Sequence, residues 1–218
     1  MTKHRFSATE REGVYRAIAE RRDMRHFLPD PVAPEIMSRL LEAAHMAPSV
    51  GYMQPWRFIR ISDAKLRVAM VALVEEERRE TAAALDERGE EFMRLKVEGI
   101  RECPELWVVV LTDRRERYVF GRRTMPSMDM ASASCAIQNL WLAARAEGIG
   151  MGWVSLFDPA KLKAMLKAPA DSDPIAILCL GHVEEFYRQP MLEQKGWDKR
   201  KELTTVIWEN YWSANEIS

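Results

Sequence analysis

Arg21, Arg22 and Arg25, in the run Arg-Arg-Asp-Met-Arg, put three guanidinium groups within about one helical turn. Such forks take up phosphate oxygens in pairs. The plain alternative is a solvated charge run at a helix C-terminus, which favours cations. Asp23 places a carboxylate inside the same run. Some 25 residues on, the segment APSVGYMQPW offers the Ser49 hydroxyl, the Gln54 amide and, at Gly51, a backbone that a ligand can approach closely. An ordinary loop entering a strand explains it equally well. Ser155 falls where a later strand should end, a common place for a hydroxyl donor to face a ligand.

Other chemistries find no support. Gly148, Gly150 and Gly152 in EGIGMGW suggest a dinucleotide loop, but they close a helix and enter a strand, the reverse of a Rossmann turn, and their spacing is GxGxG. A helix cap followed by a thin strand is the better reading. His4, His26, His45 and His182 show no metal-binding spacing, and no metal site is expected. There is no nucleophile elbow and no phosphate-binding P-loop. Cys103, Cys135 and Cys179 are odd in number and far apart, as buried thiols of a reducing cytoplasm would be.

These groups need a scaffold. Ser7 and Glu10 form a capping box for a helix over about 8–21, with Val14 and Ile18 on its inner face. Pro34 opens a second helix, with Ile36, Leu40, Leu41 and Ala44 on one stripe. A strand follows from Trp56, and Asp63 can cap a long helix after it. Residues 75–101 read as helical and exposed, broken at Gly89. Residues 106–112 form an apolar run typical of a strand buried on both faces. Residues 113–126 read as loop. A helix over 127–147 carries Ala133, Ile137, Leu140, Trp141 and Ala144, and strands follow over 149–156 and 174–181, with a short helix over 159–167 between them. From 184 onward the tail holds Trp197, Trp208 and Trp212, an apolar load that suggests a second subunit as its packing partner.

Composition bounds the whole. The 218 residues carry 32 Lys and Arg against 33 Asp and Glu, and 47% are hydrophobic. That suits one globular domain and gives no global field for nucleic acid or a membrane surface. No apolar run is long enough to span a bilayer, and the charged N-terminus is unlike a secretory signal, so a cytoplasmic location is expected.

In combination the motifs become specific. RRxxR after the first helix, APSxxxxQPW, and EGxGxGW after a long helix resemble the flavin-dependent nitroreductase-like family. Longer stretches, among them YRAIAERRDMRHFLPDP, AAHMAPSVGYMQPWRFI and MDMASASCAIQNLWLAARAEGIGMGWVSLF, resemble a branch of that family that consumes its own flavin. Two departures from the ordinary pattern agree with that branch: Asp23 replaces a serine after the arginines, and Gly51 replaces an asparagine in the loop.

The resemblance implies an α+β three-layer sandwich with a central mixed sheet flanked by helices, forming a homodimer with a C-terminal arm, about 184–218, wrapped around the partner. It implies one nitroreductase-like domain over 1–218 with a lid over about 80–105. It also implies a reaction in which reduced FMN and O2 give 5,6-dimethylbenzimidazole, the lower ligand of cobalamin, and erythrose 4-phosphate. NAD(P)H would enter only through a separate flavin reductase. Arg21, Arg22, Arg25 and Arg200 would then grip the phosphate and ribityl end. Ser49 and Gln54 would contact FMN, and the backbone of Gly150 and Gly152 would line it where a side chain would collide. Asp23 would be the catalytic carboxylate, kept ionised by the arginines, and Ser155 a second functional hydroxyl. A conventional NAD(P)H-dependent nitroreductase or flavin reductase is the rival.

Overall fold

A computed structural model describes residues 4–212. The chain divides into two compact units, Met1–Phe186 and Tyr187–Ser218. The first unit is built on four strands in the order β1 (Trp56–Arg60), β2 (Glu105–Leu111), β4 (Asp173–Gly181), β3 (Gly150–Val154). Every neighbouring pair is antiparallel. The expected mixed character is confined, among the described residues, to one isolated parallel bridge between Asp23 and Met151.

Side chains alternate across this sheet. Trp56, Val109, Leu111, Met151, Ala176, Leu178 and Leu180 face one core, closed by α2 (Pro34–His45) and α5 (Met128–Ala146). Val108, Val110 and Ile177 point the other way, on the side of α3 (Ala64–Ala84) and α6 (Pro159–Met165), where Met70, Val74 and Leu162 are buried. Helices on both faces give the three layers and explain why β2 reads as a continuous apolar run.

Local signals act as expected at the helix ends. Ser7 and Glu10 close a reciprocal capping box on α1 (Ala8–Glu20). Pro34 opens α2, and the Asp63 and Asp158 carboxylates accept N–H bonds at the starts of α3 and α6. Gly89 opens α4 (Gly89–Met93), and a Cβ there would strike the Ala82 carbonyl, so glycine lets this short helix lie against α3. Residues 80–105 are thus the end of α3, α4 and the loop before β2.

Two expectations are corrected. Val14 and Ile18 do not face the core: each is 50% exposed, and α1 buries no residue. Cys135 is exposed on the outer side of α5, whereas Cys103 and Cys179 are buried.

In the second unit, α7 (Met191–Gln194) is followed by a three-ten turn over Leu203–Val206. Trp208 and Trp212 stack with ring centroids 4.5 Å apart. Residues 213–218 of the expected arm lie outside the described residues. No helix among the described residues is long and apolar enough to cross a membrane.

Candidate active site

The arginine run is not a helical turn. Helix α1 ends at Glu20, and Arg21 already has extended dihedrals (φ −59°, ψ 135°). The segment 21–25 lies as a strap along the outer edge of β3. The Met24 N–H donates to the Met151 carbonyl at 2.9 Å. The indole N–H of Trp141, on α5, donates to the Arg22 carbonyl at 3.1 Å. Helix on one side and strand on the other therefore fix the backbone on both sides of Asp23.

The carboxylate of Asp23 is held at three points. The Trp153 N–H donates to it at 2.9 Å. The Arg25 guanidinium grips it with both terminal nitrogens, one at 2.7 Å. Arg25 also donates to the Trp153 carbonyl at 2.9 Å. Its side chain is only 8% exposed. Arg25 is thus the counter-ion of Asp23. Arg21 sits over the Trp141 ring, 4.4 Å from its centroid. Arg22 folds back onto the Ala19 and Arg21 carbonyls at 2.8 and 2.7 Å.

Burial pushes the Asp23 carboxyl above its ordinary value. Arg25, the Trp153 N–H and Arg21 all pull it down without cancelling that effect. Solvent still reaches 43% of the side chain, which tempers the rise. The arginines favour the ionised form, as expected from their nearness, but desolvation is the larger influence.

Gly150 and Gly152 lie on β3 beside this strap. A Cβ on Gly152 would meet the Met24 carbonyl and, at 2.5 Å, an Arg25 nitrogen; one on Gly150 would meet the Val183 side chain. The crowding that demands glycine comes from the strap at Gly152 and from Val183 at Gly150, so a ligand is not needed to explain it. Ser155 is exposed, just past the end of β3 and two residues beyond Trp153.

Ser49 and Gln54 are bonded to each other: the Ser49 hydroxyl accepts from the Gln54 N–H at 3.0 Å. Gly51, Tyr52 and Gln54 all have positive φ, near 50°. Asparagine tolerates that conformation too, but a Cβ at Gly51 would lie 3.0 Å from the Phe120 carbonyl. The loop hangs from the start of α5, where the Val50 N–H donates to Ser132 at 3.0 Å. Trp141, which carries the Arg21–Asp23 strap, is nine residues further, about 14 Å along the helix. The structure therefore brings Arg21, Arg22, Asp23, Arg25, Gly150, Gly152 and Ser155 together, and holds Ser49 and Gln54 at the other end of α5. Arg200 belongs to the second unit.

Trp141 and Trp153 were not legible as site residues. The former reads as one more apolar position on a core helix, and the latter engages Asp23 and Arg25 through its backbone. The one available signal was that a buried indole N–H needs an acceptor.

The site thus offers three chemically different groups. A cation sits on an aromatic face, a partly exposed carboxylate lies beside it, and a free-standing hydroxyl ends the neighbouring strand.

The nitroreductase family model matches residues 18–182. A 5,6-dimethylbenzimidazole synthase of Rhodospirillum rubrum is 41% identical over 202 residues, covering 90% of this chain and 94% of that protein. One from Rhodobacter capsulatus is 38% identical, covering 89% and 95%. Among solved structures, iodotyrosine deiodinase bound to FMN and 3-iodo-L-tyrosine shares the fold with a TM-score of 0.71 at 21% identity, over 91% of this chain and all of that one. A BluB-like flavoprotein from Clostridium difficile 630 does so at 0.69 and 19% identity, over 90% and 98%.

Proposed function

We propose, from the premise that this chain belongs to the nitroreductase family, that it is an oxidoreductase forming 5,6-dimethylbenzimidazole from reduced FMN and O2, with erythrose 4-phosphate and an oxidised remnant of the pyrimidine ring, which accounts for the remaining carbon, nitrogen and oxygen atoms, as the other products. The observation that carries this reading is the 41% identity to a synthase of that name across nearly the full length of both chains. Reduced FMN supplies both the electrons for O2 and the ring carbons of the product. It is the substrate, delivered by a separate flavin reductase, with NAD(P)H acting only through that enzyme.

This chain's residues have separate tasks. Arg21 and Arg22 supply positive charge for the phosphate and ribityl oxygens, and Arg200 of the second unit is a further cation assigned to them. Ser49 and Gln54 contribute the hydroxyl and amide of their loop, and Gly150 and Gly152 the flat edge of β3. Asp23 takes and returns a proton. Its raised value brings it closer to working pH than an ordinary aspartate, which favours that role. Arg25 and the Trp153 N–H orient it. Ser155 donates a hydrogen bond from the end of β3. Residues 80–105 close over the site and exclude water.

We assign a homodimer as the working unit. The exposed Val14 and Ile18 of α1 support it. So does the spacing along α5 of the Ser49–Gln54 loop and the Asp23 strap, which a second copy can bridge. A cytoplasmic location is in keeping with the free cysteines.

The test is a single incubation of the protein with reduced FMN in air, followed by mass analysis. Loss of flavin absorbance with appearance of 5,6-dimethylbenzimidazole is expected, and no oxidation of NADPH by the protein alone. Intact oxidised FMN with no benzimidazole would overturn the synthase reading, and NADPH oxidation would favour the ordinary reductase.

A further inference from the structure

We infer that Trp141 is a positioning residue for this reaction, holding Arg21 and the Arg22–Asp23 peptide in place through three surfaces of one indole. The inference rests on the reading of Arg21 and Asp23 as flavin-facing groups.

An indole offers one N–H donor and two aromatic faces. Here the N–H reaches the Arg22 carbonyl at 3.1 Å. The Arg21 guanidinium lies 4.4 Å from the ring centroid, within cation–π range. Trp153 packs against the same side chain, centroids 6.3 Å apart and tilted by 45°. Trp153 is also the residue whose N–H and carbonyl engage Asp23 and Arg25. One side chain therefore touches the two residues that precede the carboxylate and the strand that anchors it. It does so from the middle of a rigid helix, with Leu140, Ala144 and Ile137 buried around it.

Simple core filling does not require this arrangement. Leucine or methionine would fill the space, but would leave the Arg22 carbonyl without this donor and give Arg21 no aromatic face. Stacking on a ring also restricts a guanidinium to one plane, so its N–H edges are oriented before an anion arrives. Pre-organisation of this kind lowers the entropic cost of binding.

The experiment is a double-mutant cycle of Trp141→Phe and Arg21→Gln, read as the Kd for oxidised FMN, alongside amide exchange with no flavin present. Trp141→Phe keeps an aromatic ring and loses the N–H. It is expected to weaken FMN binding about tenfold, and the double variant should be no weaker than Arg21→Gln alone within about twofold. Amide exchange in peptides spanning 21–27 should rise about tenfold while β2 and β4 peptides stay unchanged. Multiplying effects on Kd would overturn the inference, as would exchange that is unchanged or rises equally everywhere. If Trp141→Phe does not fold, Trp141→Tyr enters the same cycle. Because exchange is read without flavin, wild-type protein that binds no FMN would sink the functional reading and leave the positioning test intact.

Discussion

The backbone N–H of Trp153 donates to the Asp23 carboxylate at 2.9 Å across 130 residues of chain. It joins the strap after α1 to the C-terminal half of β3, so the carboxylate is placed by two elements at once. Its chemistry follows from that placement. Burial against β3 raises its proton affinity, while Arg25 and the N–H keep it oriented.

The first prediction concerns pH. A carboxyl whose folded value lies above its unfolded one contributes stability below about the ordinary 3.8, and loses it as pH rises through the raised folded value. Asp23→Asn cannot ionise but can still accept from Trp153. The wild-type Tm minus the variant Tm should therefore fall as pH is raised from 3.8. A difference that grows with pH over that window would show that the ion pair with Arg25 outweighs burial.

A second prediction separates the two glycines of β3. The Gly152→Ala methyl would press on the Met24 carbonyl and on Arg25, both fixed by other bonds. Overpacking of this kind costs about 1–3 kcal/mol. The Gly150→Ala methyl meets mainly the Val183 side chain, which can turn aside. Urea denaturation should rank Gly152→Ala as clearly the less stable. Equal losses would mean that the strap is free to move.

These cases also show what a sequence carries. The Ser7–Glu10 box, Pro34 and Asp63 mark helix starts because each acts on backbone a few residues away. The buried run 106–112 was legible because two helical layers exclude water from both faces of β2. The extended strap was not legible, because Arg21–Arg25 has charges that suit a helix end and is drawn out only by Met151 and Trp141, far along the chain. Val14 and Ile18 have core spacing, yet periodicity cannot say whether the surface they meet belongs to the same chain. Asp23 stood out as a charge among charges, while Trp153, which places it, carries no side-chain signal at all.

A third prediction follows from the other end of α5. Asp129 binds Arg115 at 2.9 Å and Arg122 at 3.0 Å, all three largely buried. This network fixes residues 113–127, whose Phe120 carbonyl and Gly121 pack on Gly51 and Val50. Removing one member of a buried ionic group costs about 3–5 kcal/mol. Asp129→Asn should therefore speed amide exchange in 49–54 together with 113–127, and leave 21–27 protected. Unchanged exchange over 49–54 would show that the two loops are independent.

Ser155→Ala gives a fourth. The residue is exposed and follows the end of β3, so its loss should change stability by no more than about 0.5 kcal/mol. Single turnover with reduced FMN should still bind flavin, but return more of it oxidised and less as benzimidazole. An unchanged product yield would remove Ser155 from the site.

The last prediction tests the second copy. In a single chain Val14 and Ile18 are half exposed on a helix that buries nothing. Replacing both by lysine should then be almost neutral, and slightly favourable to the helix, since lysine is the better helix former. In a dimer that covers this face, the same change strips apolar area from the contact and places two desolvated charges there. Light scattering at micromolar concentration should therefore give twice 25.2 kDa for the wild type and 25.2 kDa for Val14→Lys/Ile18→Lys, with helix content unchanged by circular dichroism. A variant that keeps the dimer mass would move the contact away from α1, and a wild type at 25.2 kDa would require the Ser49–Gln54 loop and the Asp23 strap to serve separate sites.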